Sequence, residues 1–136
     1  MTEATGSCLC GAVRYAVAGP LRPVSYCHCS QCRRTSGHYV AATACNTEHL
    51  QMQNDEGLHW YRSSPDAERG FCSQCGSSLF WRPGRGQEIS IMAGTLDTPT
   101  GLEAEEHIFA ADASDYYRLD DELPHFDAYP PGSGDE

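Results

Sequence analysis

Apolar and polar residues alternate in short runs along this chain, and the alternation predicts β-strands. AVRYAVA (12–18) alternates between Gly11 and the stop at Gly19-Pro20. HYVAATAC (38–45), LHWYR (58–62), SLFWR (78–82), EISIMAG (88–94) and EEHIFA (105–110) follow as strand candidates. RPGRGQ (82–87) reads as a turn between two of them. SQCRRTSG (30–37) predicts a short helix with Ser30 as N-cap and Gly37 as stop, and ASDYYRL (113–119) one helical turn. The expected fold is a mainly β, mostly antiparallel single domain over residues 6–130. Residues 1–5 read as a flexible N-terminus and residues 131–136, the end of YPPGSGDE, as a disordered tail.

Composition narrows the partners. The chain has 136 residues, which suits one domain. It has nine arginines, no lysine and nineteen acids, for a net charge of −10. The acids gather from Asp97 onward, where only Arg118 opposes them. Phosphate backbones need cations, so a nucleic-acid partner is disfavoured. No apolar run reaches the ~20 residues of a membrane span. The opening MTEATGSCLCG lacks the basic and apolar regions of a signal peptide, so a cytoplasmic location is expected.

Leu, Ile, Val and Phe together number only 20, too few for an ordinary core in so charged a chain. Seven Tyr, two Trp and eight Cys oppose a disordered reading. The cysteines fall as C-x-C (Cys8, Cys10), C-x-C-x-x-C (Cys27, Cys29, Cys32), a lone Cys45 and C-x-x-C (Cys72, Cys75). Disulfides at such short spacing would close almost no loop, and reduced cytosol disfavours them. Paired cysteines signal zinc. In an extended strand, residues two apart share a face, which would align the sulfurs of Cys8 with Cys10 and of Cys27 with Cys29. A C-x-x-C turn followed by Gly76 brings two more together.

Seven clustered cysteines divide into four and three. Cys8, Cys10, Cys72 and Cys75 make a closed structural set, whose metal-binding energy becomes folding energy. Cys27, Cys29 and Cys32 leave a fourth position open, the arrangement of a catalytic zinc. A second structural zinc completed by Cys45 or a histidine is the alternative.

Three blocks carry a resemblance. GSCLCGAVRY (6–15), YCHCSQCRRTSG (26–37) and GFCSQCGSSLFW (70–81) resemble the glutathione-dependent formaldehyde-activating enzyme family, which includes centromere protein V. AGTLD (93–97), EEHIF (105–109) and LDDELPHFDAYP (119–130) are similar to it as well. The resemblance implies a β-tent zinc-binding fold, with a structural zinc on Cys8, Cys10, Cys72 and Cys75 and a catalytic zinc on Cys27, Cys29 and Cys32. It also implies a carbon–sulfur lyase that condenses glutathione, or another small thiol, with formaldehyde or a related aldehyde to S-hydroxymethylglutathione. Two positions depart from the family: His38 replaces a small residue after Ser36-Gly37, and Tyr116-Tyr117 stands where a tryptophan is expected.

Other residues receive weaker assignments. Arg33 and Arg34 follow the cysteines directly and could clamp a substrate carboxylate, against the alternative of a solvated helix face. His28 should point away from its neighbouring ligands and pack or hydrogen-bond. His38 and His107 are weak acid–base candidates. Cys45, Trp60, Trp81, Tyr15 and Tyr39 read as core. The rival function is a non-catalytic zinc-binding module for a protein partner, which has no need of an open metal position.

Overall fold

The structure is a computed structural model that describes residues 3–131. Ten strands and one α-helix follow one another as β1 (Ala4–Ser7), β2 (Arg14–Val17), β3 (Val24–Cys27), α1 (Ser30–Ser36), β4 (Val40–Asn46), β5 (Leu50–Asn54), β6 (Leu58–Ser64), β7 (Ala67–Cys72), β8 (Ser78–Pro83), β9 (Glu88–Met92) and β10 (Ala104–Ile108). They form a three-stranded sheet in the order β1-β2-β5 and a seven-stranded sheet in the order β10-β3-β4-β9-β8-β7-β6. All pairs are antiparallel except β10 with β3, which is parallel.

The burial pattern explains which strands the alternation revealed. β6 alternates between half-buried Leu58 and Trp60 and exposed His59 and Tyr61, as a strand with one wet face should. β2 buries Tyr15, Ala16 and Val17 in succession. β1, β3 and β7 lack a strong apolar signature, and β5 alternates over only five residues, LQMQN; these four strands are not among the expected ones, and each lies hydrogen-bonded beside a neighbour. Residues 4 and 5, expected in a flexible N-terminus, pair with Val17 and Ala16. The rest of that N-terminal expectation, residues 1–2, and most of the expected tail, residues 132–136, lie outside the described residues. ASDYYRL contains a turn and no helix; a 3-10 helix, Ala110–Asp112, precedes it.

The main core joins the two sheets. Val13, Tyr15 and Val17 meet Leu79, Phe80, Ile89 and Ile91, with the Tyr15 and Phe80 rings edge-on at 5.2 Å. Each such side chain contributes roughly 1.5–3 kcal/mol on burial. The Tyr15 hydroxyl stays satisfied through Thr95 Oγ1 at 2.7 Å. Cys45 packs in this core against Ile89, consistent with its reading as a small apolar residue.

A smaller cluster lies apart. Cys32, Val40, Ala42 and Met92 pack together, with Cys27, Cys29 and Trp81 against them. The scarcity of large aliphatics thus leaves two small cores, each bordering cysteines.

Candidate functional site

The first cysteine group is built by three loops. Cys8 and Cys10 lie in bends after β1, not on the strand expected for them. Their convergence comes from a tight loop in which the Cys8 amide donates to the Val13 carbonyl at 3.0 Å, and Val13 N–H donates to Cys8 Sγ at 3.3 Å. Cys72 ends β7, and its Sγ accepts from Gln74 N–H at 3.4 Å. The Gly76 amide donates to the Cys72 carbonyl at 2.8 Å with φ at 83°, the left-handed turn expected after C-x-x-C. Gly57 closes the third side. A Cβ there would meet Cys72 Sγ at 2.8 Å and Ala12 Cβ at 2.9 Å, so only glycine allows the approach.

The ligand atoms of Cys8, Cys10, Cys72 and Cys75 lie within 4.8 Å of one another. Cys8 and Cys10 sulfurs are 3.7 Å apart, and Cys10 and Cys72 sulfurs 3.8 Å. A tetrahedral ion with metal–sulfur bonds of about 2.3 Å sets its sulfurs about 3.8 Å apart, so this group fits one. The Cys75 thiol is held down at about 5, first by the Ser77 hydroxyl and then by the Ser77 amide. It therefore offers a ready thiolate.

The second group comes from one short segment. Cys27 ends β3, Cys29 caps α1 and Cys32 lies in its first turn. The N-cap is Cys29, one residue before the expected Ser30, because its sulfur accepts from Cys32 N–H at 3.3 Å. Gly37 closes the helix as expected, its amide donating to the Arg33 carbonyl at 2.8 Å. The three sulfurs lie within 4.8 Å of one another.

Their crowding is electrostatically uneven. The Cys27 and Cys32 thiols donate to Cys29, and with the Cys32 and Gln31 amides they hold its thiol down at about 2. Cys27 is pushed far above the ordinary thiol range by Cys29, then Cys32, then burial. One thiolate forms easily here and the full set does not, a cost that a cation among them would reverse.

Arg69 is a residue the sequence reading missed. It is buried on β7, and its guanidinium donates to Cys32 Sγ at 3.8 Å and to Gln31 Oε1 at 3.3 Å. Its Nε has no partner. A buried guanidinium beside three sulfurs opposes their negative charge. An arginine two residues after Ala67 on the same strand, and so on the same face, close before a C-x-x-C pair, was the available signal. Arg33 and Arg34 occupy the last turn of α1, half-buried and exposed respectively. Neither forms an ion pair with a described residue, and the Arg33 Nε is buried without a hydrogen-bond partner.

His28 points away from the cysteines, into a buried polar chain. Its Nδ1 meets the Tyr117 hydroxyl at 2.6 Å and its Nε2 meets His107 Nδ1 at 2.8 Å. His107 Nε2 in turn lies 2.8 Å from Asp121 Oδ2. Burial, followed by the His107 charge, lowers the His28 ring to about 4. One donor order that satisfies every atom of the chain runs from Tyr117 O–H to His28, from His28 Nε2–H to His107 and from His107 Nε2–H to Asp121. The two departing positions meet nearby: His38 Nδ1 is 2.5 Å from the Tyr116 hydroxyl, and its ring leans on Tyr39. A surface cleft of about 390 Å³ lined by Leu21, Pro23 and residues 101–105 includes none of the cysteines. Among the described residues, no helix is long and apolar enough to cross a membrane.

Comparison with known proteins finds similar chains. A profile described as "Glutathione-dependent formaldehyde-activating enzyme" matches residues 3–112. A Halomonas elongata protein named for glutathione-dependent formaldehyde activation is 30% identical over 125 residues, covering 85% of this chain and 80% of its own. An uncharacterized lyase of Schizosaccharomyces pombe is 35% identical over 81 residues, covering 60% and 58%. A crystal structure of a Rhodobacter sphaeroides protein superposes with a TM-score of 0.59 at 26% identity, covering 74% of this chain and 97% of that one.

Proposed function

The chain belongs to the glutathione-dependent formaldehyde-activating enzyme family, and on that premise we propose that the Cys27–Cys29–Cys32 centre joins glutathione to formaldehyde. The enzyme is of the carbon–sulfur lyase type. In this reading zinc is the metal of both groups, structural on Cys8, Cys10, Cys72 and Cys75 and catalytic on Cys27, Cys29 and Cys32.

The observation that carries the reading is the unequal donor count. Among the described residues, the first group has four sulfurs, whereas the second gains no fourth Cys, His, Asp or Glu within the same distance. Cys45, the alternative fourth ligand, is in the main core. When bound, a zinc on three thiolates supplies a fourth position at which an incoming thiol loses its proton near neutral pH.

The chain's own residues do the rest. Three thiolates around a divalent ion leave one net negative charge, which Arg69 offsets through Cys32. Val40, Met92 and Trp81 cover one side of the sulfurs and limit water there. Arg33 or Arg34 holds a carboxylate of the thiol substrate. In the net reaction a sulfur–carbon bond forms, the carbon–oxygen π pair moves onto oxygen, and that oxygen takes the thiol's proton. Product and reactants balance as S-hydroxymethylglutathione with no oxidant or reductant.

The test is the absorption spectrum of cobalt-substituted protein with and without glutathione. New thiolate-to-cobalt intensity on adding glutathione is the expected result. A four-sulfur spectrum at both sites in the free protein, unchanged by any small thiol, would overturn the reading in favour of a partner-binding zinc module.

A further inference from the structure

We propose a third metal site, separate from the cysteines, in which His107, Asp121 and His125 hold a divalent first-row transition ion. Their ligand atoms lie within 4.8 Å of one another. Two imidazoles and a carboxylate form a borderline nitrogen–oxygen donor set, suited to such ions.

Contacts outside the cluster hold each donor in place, and the His107 and Asp121 ligand atoms face one another. His107 sits on β10 beside β3 and is 2% exposed. Its Nδ1 is backed by His28 Nε2 at 2.8 Å, the outer hydrogen bond that metal-bound histidines usually have. Asp121 Oδ1 accepts from the Leu123 amide at 3.1 Å, which leaves Oδ2 facing His107 Nε2. His125 is held next to His107 by a backbone bridge: the His107 amide donates to the Pro124 carbonyl at 2.9 Å, and the Phe126 amide to the His107 carbonyl at 3.0 Å. The two rings stand at 90° with centroids 5.2 Å apart. Glu122, between the donors, takes φ of 71°, a left-handed backbone uncommon for a side-chain-bearing residue. A plain His107–Asp121 ion pair requires neither that backbone nor His125.

The ion takes the place of the proton between His107 Nε2 and Asp121. His107 then carries its hydrogen on Nδ1 and donates to His28 Nε2, and His28 donates from Nδ1 to the Tyr117 oxygen. Each ring keeps one hydrogen, so the protein's proton count is unchanged. The outcome is a clamp between β10 and the segment that carries Tyr116 and Tyr117, next to His38 of the candidate site.

Tag-free full-length protein, its cysteines first saturated with zinc, would be titrated with cobalt. We expect one further cobalt per chain, with visible d–d bands but no thiolate charge-transfer band, and a higher melting temperature. His125→Ala and Asp121→Asn, both at exposed positions, should each weaken that cobalt at least about tenfold and keep the cobalt-free melt unchanged. No sulfur-free cobalt, or equal binding in both variants, overturns the proposal. Thiolate bands would place the ion at the cysteines and overturn it too. The spectra keep this site distinct from the cysteine centres, whose reading stands or falls separately.

Discussion

The four-cysteine centre draws on loops far apart in sequence, whereas the three-cysteine centre comes from residues 27–32 alone. The first ties the β1–β2 loop to the β7–β8 turn and so closes the small sheet onto the large one. The second caps a seven-residue helix at the edge of a minor core. Cysteine pairs that look alike in sequence thus face different physical demands. A ligand set that bridges distant segments acts on the whole folding equilibrium. A set within one segment acts on its own surroundings and can be given over to chemistry.

The largest effect should follow from breaking the bridging set. Structural zinc sites bind with about 10–16 kcal/mol of apparent free energy, as much as the about 5–15 kcal/mol that stabilises a typical domain. Cys72 is fully buried, so Cys72→Ser should unfold the protein or lower its melting temperature drastically. A strong chelator should do the same to the parent. Thermal melts that neither change moves would show that the core stands alone and that the contrast is wrong.

Breaking the local set should separate activity from folding. Cys29→Ala should abolish turnover while circular dichroism stays native. It also removes the N-cap of α1, at a cost of about 0.5–2 kcal/mol. Cys29→Ser keeps an oxygen cap and should recover most of that stability with none of the turnover. Cys29→Ser protein that is as active as the parent would remove Cys29 from the machinery.

The sequence was most legible where chemistry sets spacing. Cysteine blocks and Gly76 announced which residues come together, because ligand geometry permits few alternatives. The broad β reading likewise followed from alternation. What stayed hidden depended on partners distant along the chain. β3 carries the first cysteine of the three-cysteine group, yet its four residues, VSYC, are too few for a periodic signal; β4 and β10 flank it on both sides. Cys8 and Cys10 converge through loop hydrogen bonds and not through strand periodicity. Arg69 looked like one polar residue in AERGF, and only the packing of β7 against α1 turns it toward Cys32.

That strand sharpens the comparison. β7 places Cys72 in the bridging set and, three residues earlier on its other face, Arg69 against the local set. Arg69→Met keeps much of the volume and removes the charge. It should weaken metal at the three-cysteine centre by about 10–100-fold, the usual range for an outer partner, and leave the four-cysteine centre unchanged. Arg69→Lys should recover part of the loss. A chelator competition that reads each metal separately would check this. Equal weakening at both centres would mean that Arg69 supports the strand and not the charge balance.

The smallest effect concerns the two arginines of α1. Arg33 is half-buried with an unpartnered Nε, and its charge reaches Tyr117, whereas Arg34 is exposed at the helix surface. A half-buried guanidinium with unused donors gains more from a carboxylate than a solvated one. Arg33→Ala should therefore raise KM for glutathione by about tenfold at unchanged kcat, the loss of one charge-assisted hydrogen bond shared by ground and transition states. Arg34→Ala should change KM by no more than about twofold, as a surface charge does. A thiol without carboxylates, such as 2-mercaptoethanol, should be turned over equally by the parent and by Arg33→Ala. The reverse ranking with glutathione would move the carboxylate to the outer face of α1. A KM shift with both thiols would instead make Arg33 a support for Tyr117, and substrate recognition would have to be sought elsewhere around the three sulfurs.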